Sequence, residues 1–224
     1  MVKTGPKPKK IIDTTWRPEL AYAIGLVATD GCLSKDNLLI DLTSKDREQL
    51  ENFSKCLGVN FTIGKKWNGS GDACLRIQFK NRIFYDFLLS IGLTPKKSLT
   101  MGELKIPKKY FFDFLRGCFD GDGCFYSYWD PRWKSSHMFY LEFISASKKH
   151  IDWLQSELQK NLKVKGHIAF DGKKTTQQLK YAKKEALLII GKMYYNPKVV
   201  CLSRKKIKIE KALGIEKQQQ KKYI

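Results

Sequence analysis

Hydrophobic positions along this chain switch between helical and strand periods, and the order of the switches occurs twice. Leu20, Ala23, Ile24 and Val27 fall at i, i+3, i+4 and i+7, one face of a helix. Thr15 is its expected cap, and Pro18 lies in its first turn. Asp30-Gly31 ends it. Leu38, Ile40 and Leu42 then share one side of a strand. Ser44-Lys45-Asp46 opens an amphipathic helix that runs to Leu57 and stops at Gly58. A hairpin follows, with a strand over 61–66, a turn at Asn68-Gly69-Ser70-Gly71 and a strand over 74–80. In that second strand Leu75, Ile77 and Phe79 point inward, and Arg76, Gln78 and Lys80 outward. A helix over 82–91 completes the unit.

The pattern restarts after a linker over 93–107. A helix over 108–120 puts Phe111, Phe114, Leu115 and Cys118 on one face. A strand pair over 124–145 turns at Asp130-Pro131, and a helix spans 148–162. A second hairpin over 165–183 turns at Asp171-Gly172, and helices over 185–194 and 203–212 end the unit. The expected class is α+β, with two pseudo-symmetric αββαββα half-domains over 15–92 and 108–213. A basic arm, 1–14, precedes them, and a Lys/Gln-rich tail, 214–224, follows as a frayed end.

The duplication is plainest in two stretches. Ala23-Ile24-Gly25-Leu26-Val27-Ala28-Thr29-Asp30-Gly31 recurs as Leu115-Arg116-Gly117-Cys118-Phe119-Asp120-Gly121-Asp122-Gly123. Asp30 and Asp122 stand 92 residues apart, close to half the chain. A repeat of that period implies a pseudo-twofold axis, which sets each element against its own copy. Glycine inside a helix costs about 1 kcal/mol relative to alanine. Gly25 and Gly117 share a repeat position, so the missing Cβ points to two helices packed in close contact. Helices packed in that way end together and bring Asp30 and Asp122 face to face. Asp-Gly alone is an ordinary turn former; duplication in phase is what lifts it above that.

Charge changes the picture next. Among 224 residues, 42 Lys and Arg against 22 Asp and Glu leave a net +20, which implies a polyanionic partner. Nucleic acid fits better than an acidic membrane surface, since no apolar run approaches the ~20 residues of a membrane span. Residues Met1 to Lys10 lack the apolar core of a secretory signal. The six cysteines form no C-x-x-C pair and read as reduced thiols of an intracellular protein, in a prokaryotic cytoplasm or an organelle. Three scattered histidines give no zinc spacing. Two facing carboxylates repel unless a cation lies between them, and hard oxygen ligands without His or Cys favour Mg²⁺. Paired acids, a divalent cation and a basic surface together point to phosphodiester hydrolysis by metal-activated water.

At these residues the chain resembles the LAGLIDADG homing endonucleases, in the monomeric class with two motifs per chain. Gly25-Leu26-Val27 with Asp30-Gly31, and Gly117, Asp120, Asp122 and Gly123, carry the match; Ala23-Ile24 and Ala28 depart from it. The resemblance implies a β-saddle with the two motif helices packed at the interface. It implies two or three Mg²⁺ ions on Asp30 and Asp122, helped by the carbonyls of Thr29 and Gly121. It also implies basic residues near the scissile phosphates, here Lys97 and Lys205, and cleavage of double-stranded DNA with 3′ overhangs. Ser44 and Ser147 stand where the family orders active-site water, or they serve as helix N-caps. The alternatives are an RNA maturase or a non-cleaving nucleic-acid regulator on the same fold, and a nickase with one competent site. With no intein junction or extra domain in view, an intron-encoded, free-standing monomer is expected.

A two-stranded ribbon fits the major groove, where every base pair shows a distinct pattern. Strand alternation assigns Ser34, Asp36, Asp41, Lys65, Arg76, Gln78 and Lys80 of the first half to the groove face. In the second half it assigns Tyr126, Tyr128, Arg132, Lys134, Glu142, Lys173 and Lys180. The halves differ in sequence, so an asymmetric target is expected. The acidic members suit cytosine amino groups, and the remaining lysines suit phosphates.

Overall fold

The computed structural model describes residues 9–67, 71, 73–133, 135–170 and 176–222. The first half runs α1 (Pro18–Asp30), β1 (Gly31–Leu33), β2 (Leu39–Ser44), α2 (Arg47–Leu57), β3 (Ile63–Trp67), β4 (Ala73–Lys80) and α3 (Arg82–Ser90). A 3₁₀ turn, Lys108–Tyr110, leads into the second: α4 (Phe111–Asp122), β5 (Cys124–Trp129), β6 (His137–Ser145), α5 (Lys148–Leu162), β7 (His167–Phe170), β8 (Gln177–Ala182) and α6 (Lys183–Met193). A further helix, α7 (Ser203–Lys222), follows. Both halves are therefore αββαββα, as the alternation of periods requires.

Each half holds a four-stranded antiparallel sheet, ordered β1-β2-β4-β3 and β5-β6-β8-β7, the same path traced twice. Helices cover one face of each sheet, α2 against β2 and β4, and α5 against β6 and β8. Ile40, Leu42 and Ile77 of the first sheet and Phe139, Leu141, Leu179 and Tyr181 of the second bury beneath them. Each large apolar side chain taken fully out of water contributes about 1.5–3 kcal/mol.

The two repeated helices, α1 and α4, form the centre. A methyl group on Gly25 would come within 3 Å of the Phe114 carbonyl, Cys118 N and the Gly117 Cα. Gly117 meets the Tyr22 carbonyl and Gly25 as closely. Backbone touches backbone here, and only glycine permits that approach. α1 is consequently buried on nearly all sides from Leu20 to Ala28, rather than along the single stripe its period suggests.

Two further expectations change. Thr15 does not cap α1: its N–H and hydroxyl both bond the Asp13 carboxylate, and Arg17 takes the N-cap position. The segment after Gly214 continues α7 instead of fraying. Glu216, 8% exposed, explains this, because its carboxylate lies 2.5 Å from Lys183 Nζ on α6 and beside the buried His137 of β6. The expected turns at 68–70 and 171–172 lie outside the described residues.

Candidate active site

Close packing ends α1 and α4 side by side, and each helix terminates in its aspartate. The contact is tight at the ends as well: a Cβ on Gly121 would strike Thr29 and the Asp30 carboxylate. Burial pushes the Asp30 carboxyl up to about 6, and the negative charge of Asp122 pushes the same way. Burial also raises Asp122, while Lys97 and then Lys205 pull it back. Two carboxylates thus compete for limited positive charge at one spot.

Two buried lysines supply that charge. Lys97, 6% exposed, donates to the Thr29 carbonyl at 3.4 Å. Lys205, 7% exposed, donates to the carbonyls of Phe119, Gly121 and Gly123 at 2.6, 3.0 and 2.7 Å. Burial lowers both ammonium pKa values, that of Lys205 to about 8. The lysines therefore bond the same two carbonyls, Thr29 and Gly121, that the sequence resemblance led one to expect on a metal ion. Among the described residues no cluster of three or more His, Cys, Asp or Glu side chains gathers. An ion here would have two carboxylates, nearby carbonyls, water and substrate oxygens as ligands. That set suits Mg²⁺, which keeps its waters and takes one or two carboxylates plus phosphate.

Gln49 is a site residue that the sequence reading missed. It is 2% exposed on the first turn of α2, and its Nε2 donates to Asp30 Oδ2 at 2.5 Å. Ser44 Oγ donates to Gln49 Oε1 at 3.1 Å and accepts from the Asp46 N–H at 3.0 Å. The signal was present in the helical period: Gln49 shares an inward stripe with Phe53 and Cys56, an amide in an apolar row. In the second half Ser145, not Ser147, corresponds to Ser44, since its Oγ accepts from the Ser147 N–H at 3.1 Å. Ser147 is buried and donates to the Met101 carbonyl. It occupies the N-cap position of α5 without a side-chain cap bond.

Asp120, the first acid of the second motif, is wholly buried. Its Oδ2 accepts from Tyr22 at 2.8 Å and from the Leu202 N–H at 2.7 Å, and burial raises its carboxyl to about 6. Arg116 is buried beside it, bonding Val200 and Met193 carbonyls and Asp113. Both tie α4 to the segment that leads into α7.

The outward faces of the sheets receive most of the expected groove residues. Asp41, Arg76, Gln78 and Lys80 share the open face of the first sheet. Lys65 does not: it pairs with Leu75, so it faces the helix-covered side at the edge strand, and Lys66 takes the open side. Asp41 is not free, because Lys66, Arg76 and Gln78 surround it at 3.5, 3.7 and 3.3 Å. Ser34 bonds Asn37 at the foot of β1, and Asp36 is exposed in the same turn. On the second sheet Tyr126 and Tyr128 stack on Tyr140, with centroids 5.4 and 6.4 Å apart. Glu142 is buried and ion-paired with Lys180 at 3.0 Å, so it too is occupied. Arg132 is held in the β5–β6 loop by Asp130 at 3.0 Å. Lys134 and Lys173 lie outside the described residues.

No protein-family model and no curated protein matches the sequence. Solved structures do match the fold. The homing endonuclease I-WcaI bound to its DNA recognition sequence aligns at 17% identity over 92% of this chain and 95% of that one, with a TM-score of 0.62. The LAGLIDADG meganuclease I-AabMI bound to uncleaved DNA aligns at 14% identity over 92% of both chains, TM-score 0.62. Full-length DUF199/WhiA from Thermatoga maritima aligns at 14% identity over 93% of this chain, TM-score 0.59, and this chain spans 63% of that protein. Paired glycine-packed helices ending in acids, two sheets of identical path, and these neighbours agree: the chain has the fold of the LAGLIDADG homing endonucleases, with both motif copies in one polypeptide.

Proposed function

We propose that this protein is a site-specific double-stranded DNA endonuclease, acting as a monomer that hydrolyses one phosphodiester on each strand and leaves 3′ overhangs. The observation that carries the reading is the juxtaposition of Asp30, part-buried, and Asp122, open to solvent, at the paired helix ends, each with a buried lysine at hand. Two chains of the same fold are bound to DNA, and a formal charge of +20 suits the same partner. The donor set fits Mg²⁺, which when bound would supply an activated water and stabilise the leaving oxygen. Asp30 and Asp122 would hold such ions. Gln49 orients the Asp30 carboxylate, and Lys97 and Lys205 set positive charge where phosphate charge develops. Lys66, Arg76, Lys80 and Lys180 on the open sheet faces contact DNA, and the Tyr126–Tyr140–Tyr128 stack offers an apolar surface to thymine methyls. The unequal faces of the two sheets imply an asymmetric site.

One observation favours a second reading. Lys97 and Lys205 already satisfy the Thr29 and Gly121 carbonyls, which suits a regulator or an RNA maturase that binds without cutting. Digestion of a randomised-site plasmid library with Mg²⁺ separates the two. Wild-type protein should yield linear product from a selected sequence, and Asp30→Asn and Asp122→Asn should not. Retention of a selected sequence with no cutting by wild type supports the regulator.

A further inference from the structure

Three consecutive residues immediately before Lys205 are each held by a different carboxylate. The Leu202 N–H donates to Asp120 Oδ2 at 2.7 Å. The Ser203 N–H donates to both oxygens of Glu48 at 3.1 Å, and its hydroxyl donates to the same carboxylate. Arg204 binds Asp46 through two bonds, Nε at 2.8 Å and Nη2 at 2.6 Å. Asn52 adds a bond to the Cys201 carbonyl at 2.9 Å. Asp46, Glu48 and Asn52 belong to α2 and its N-cap, in the first half of the molecule; α7 belongs to the second.

The arrangement has two physical consequences. A carboxylate at the first turn of a helix satisfies open N–H groups and favours the positive end of the dipole, so Glu48 fixes where α7 begins. A two-point Arg–carboxylate contact fixes direction as well as distance, so Asp46 sets the rotation of that turn. The next residue, Lys205, then has one course, inward to the carbonyls at the end of α4.

We infer that Asp46, Glu48 and Asp120 are positioning residues for Lys205, a three-carboxylate seat in which two acids of the first half and one of the second aim the cation of the second. The inference rests on the reading of Lys205 as the active-site cation. Lys97 is aimed by another device: Ser147, at the N-cap of α5, and His150, in its first turn, bond the carbonyls of Met101 and Gly102 in the segment after it. The second half thus anchors the linker that carries Lys97, but carboxylates do the anchoring only at Lys205.

The test uses the full-length double variant Asp46→Asn/Glu48→Gln, whose changed groups are part-exposed and leave α2 apolar contacts intact. Its kcat on the selected DNA site should fall about tenfold with half-saturation unchanged, and it should have no further effect in a Lys205→Met background. Additive losses in that background would show a general structural role and overturn the inference. A second readout needs no cleavage. Acetylation of Lys205 by acetic anhydride, followed by mass spectrometry, should be at least about tenfold faster in the double variant than in wild type. Unchanged protection overturns the seat whether or not the protein cuts DNA. Wild type that never cuts overturns the nuclease reading and leaves the seat to be decided by labelling.

Discussion

The two acids of this molecule occupy matched backbone positions and unmatched surroundings. Asp30 is gripped by Gln49, which Ser44 holds in turn. At the same five-residue offset the second half has Ser145 and His150. His150 turns its Nδ1 away, to the Gly102 carbonyl at 3.0 Å, and burial drops its pKa to about 4, so it stays neutral. Asp122 instead lines an open cleft with Thr29, Lys97, Ser145 and Thr176. Duplication has preserved what the backbone needs, the glycine contact and the helix ends, while the groups that orient each carboxylate have diverged. Two half-sites with a common scaffold and different supports should work at different rates.

The largest break comes from removing either acid. Asp30→Asn or Asp122→Asn should lower double-strand cutting by about 10²–10³-fold, read as loss of linear plasmid. If one variant still nicks a single strand, the identity of that strand shows which phosphate each acid serves. Gly117→Ala tests the shared scaffold. The added methyl meets the Tyr22 backbone, so stability should fall by about 1–3 kcal/mol or more in a denaturant titration, with both strands affected alike. Gln49→Met sharpens the asymmetry. It keeps length and loses the donor, so cutting of one strand should slow about tenfold, with the other unchanged in a strand-labelled assay.

The smallest effect concerns pH. The folded Asp30 carboxyl sits at about 6 against an ordinary 3.8, and Asp122 and Asp120 shift in the same direction. A raised carboxyl contributes stability while protonated and loses it as pH climbs. Relative to Asp30→Asn/Asp122→Asn, the metal-free melting temperature of wild type should therefore decline from about pH 4 through 6. Mg²⁺ should restore it above pH 6 in wild type and not in Asp30→Asn/Asp122→Asn.

The sequence revealed most where two periods agreed. The double αββαββα order followed from alternating helix and strand patterns, and the motif helices from the repeated glycine. Pairing register was not legible. A one-residue choice moves a side chain to the other face, which placed Lys65 wrongly and hid Lys66. Long-range partners were equally hidden. Nothing local to Glu216 shows that Lys183 and His137 wait for it, so the tail reads as frayed until α7 is seen docked. Gln49 and the acids Asp46 and Glu48 look like ordinary helix-start residues, and only their spatial neighbours, Asp30, Ser203 and Arg204, give them a role.

The central claim, that Asp30 and Asp122 jointly seat divalent ions, is tested most directly by anomalous diffraction from crystals of the protein with its selected duplex and Mn²⁺. The account predicts anomalous density in contact with both carboxylates and a scissile phosphate. A duplex seated on the sheets with no such density, and both ammonium groups still on the Thr29 and Gly121 carbonyls, would contradict it.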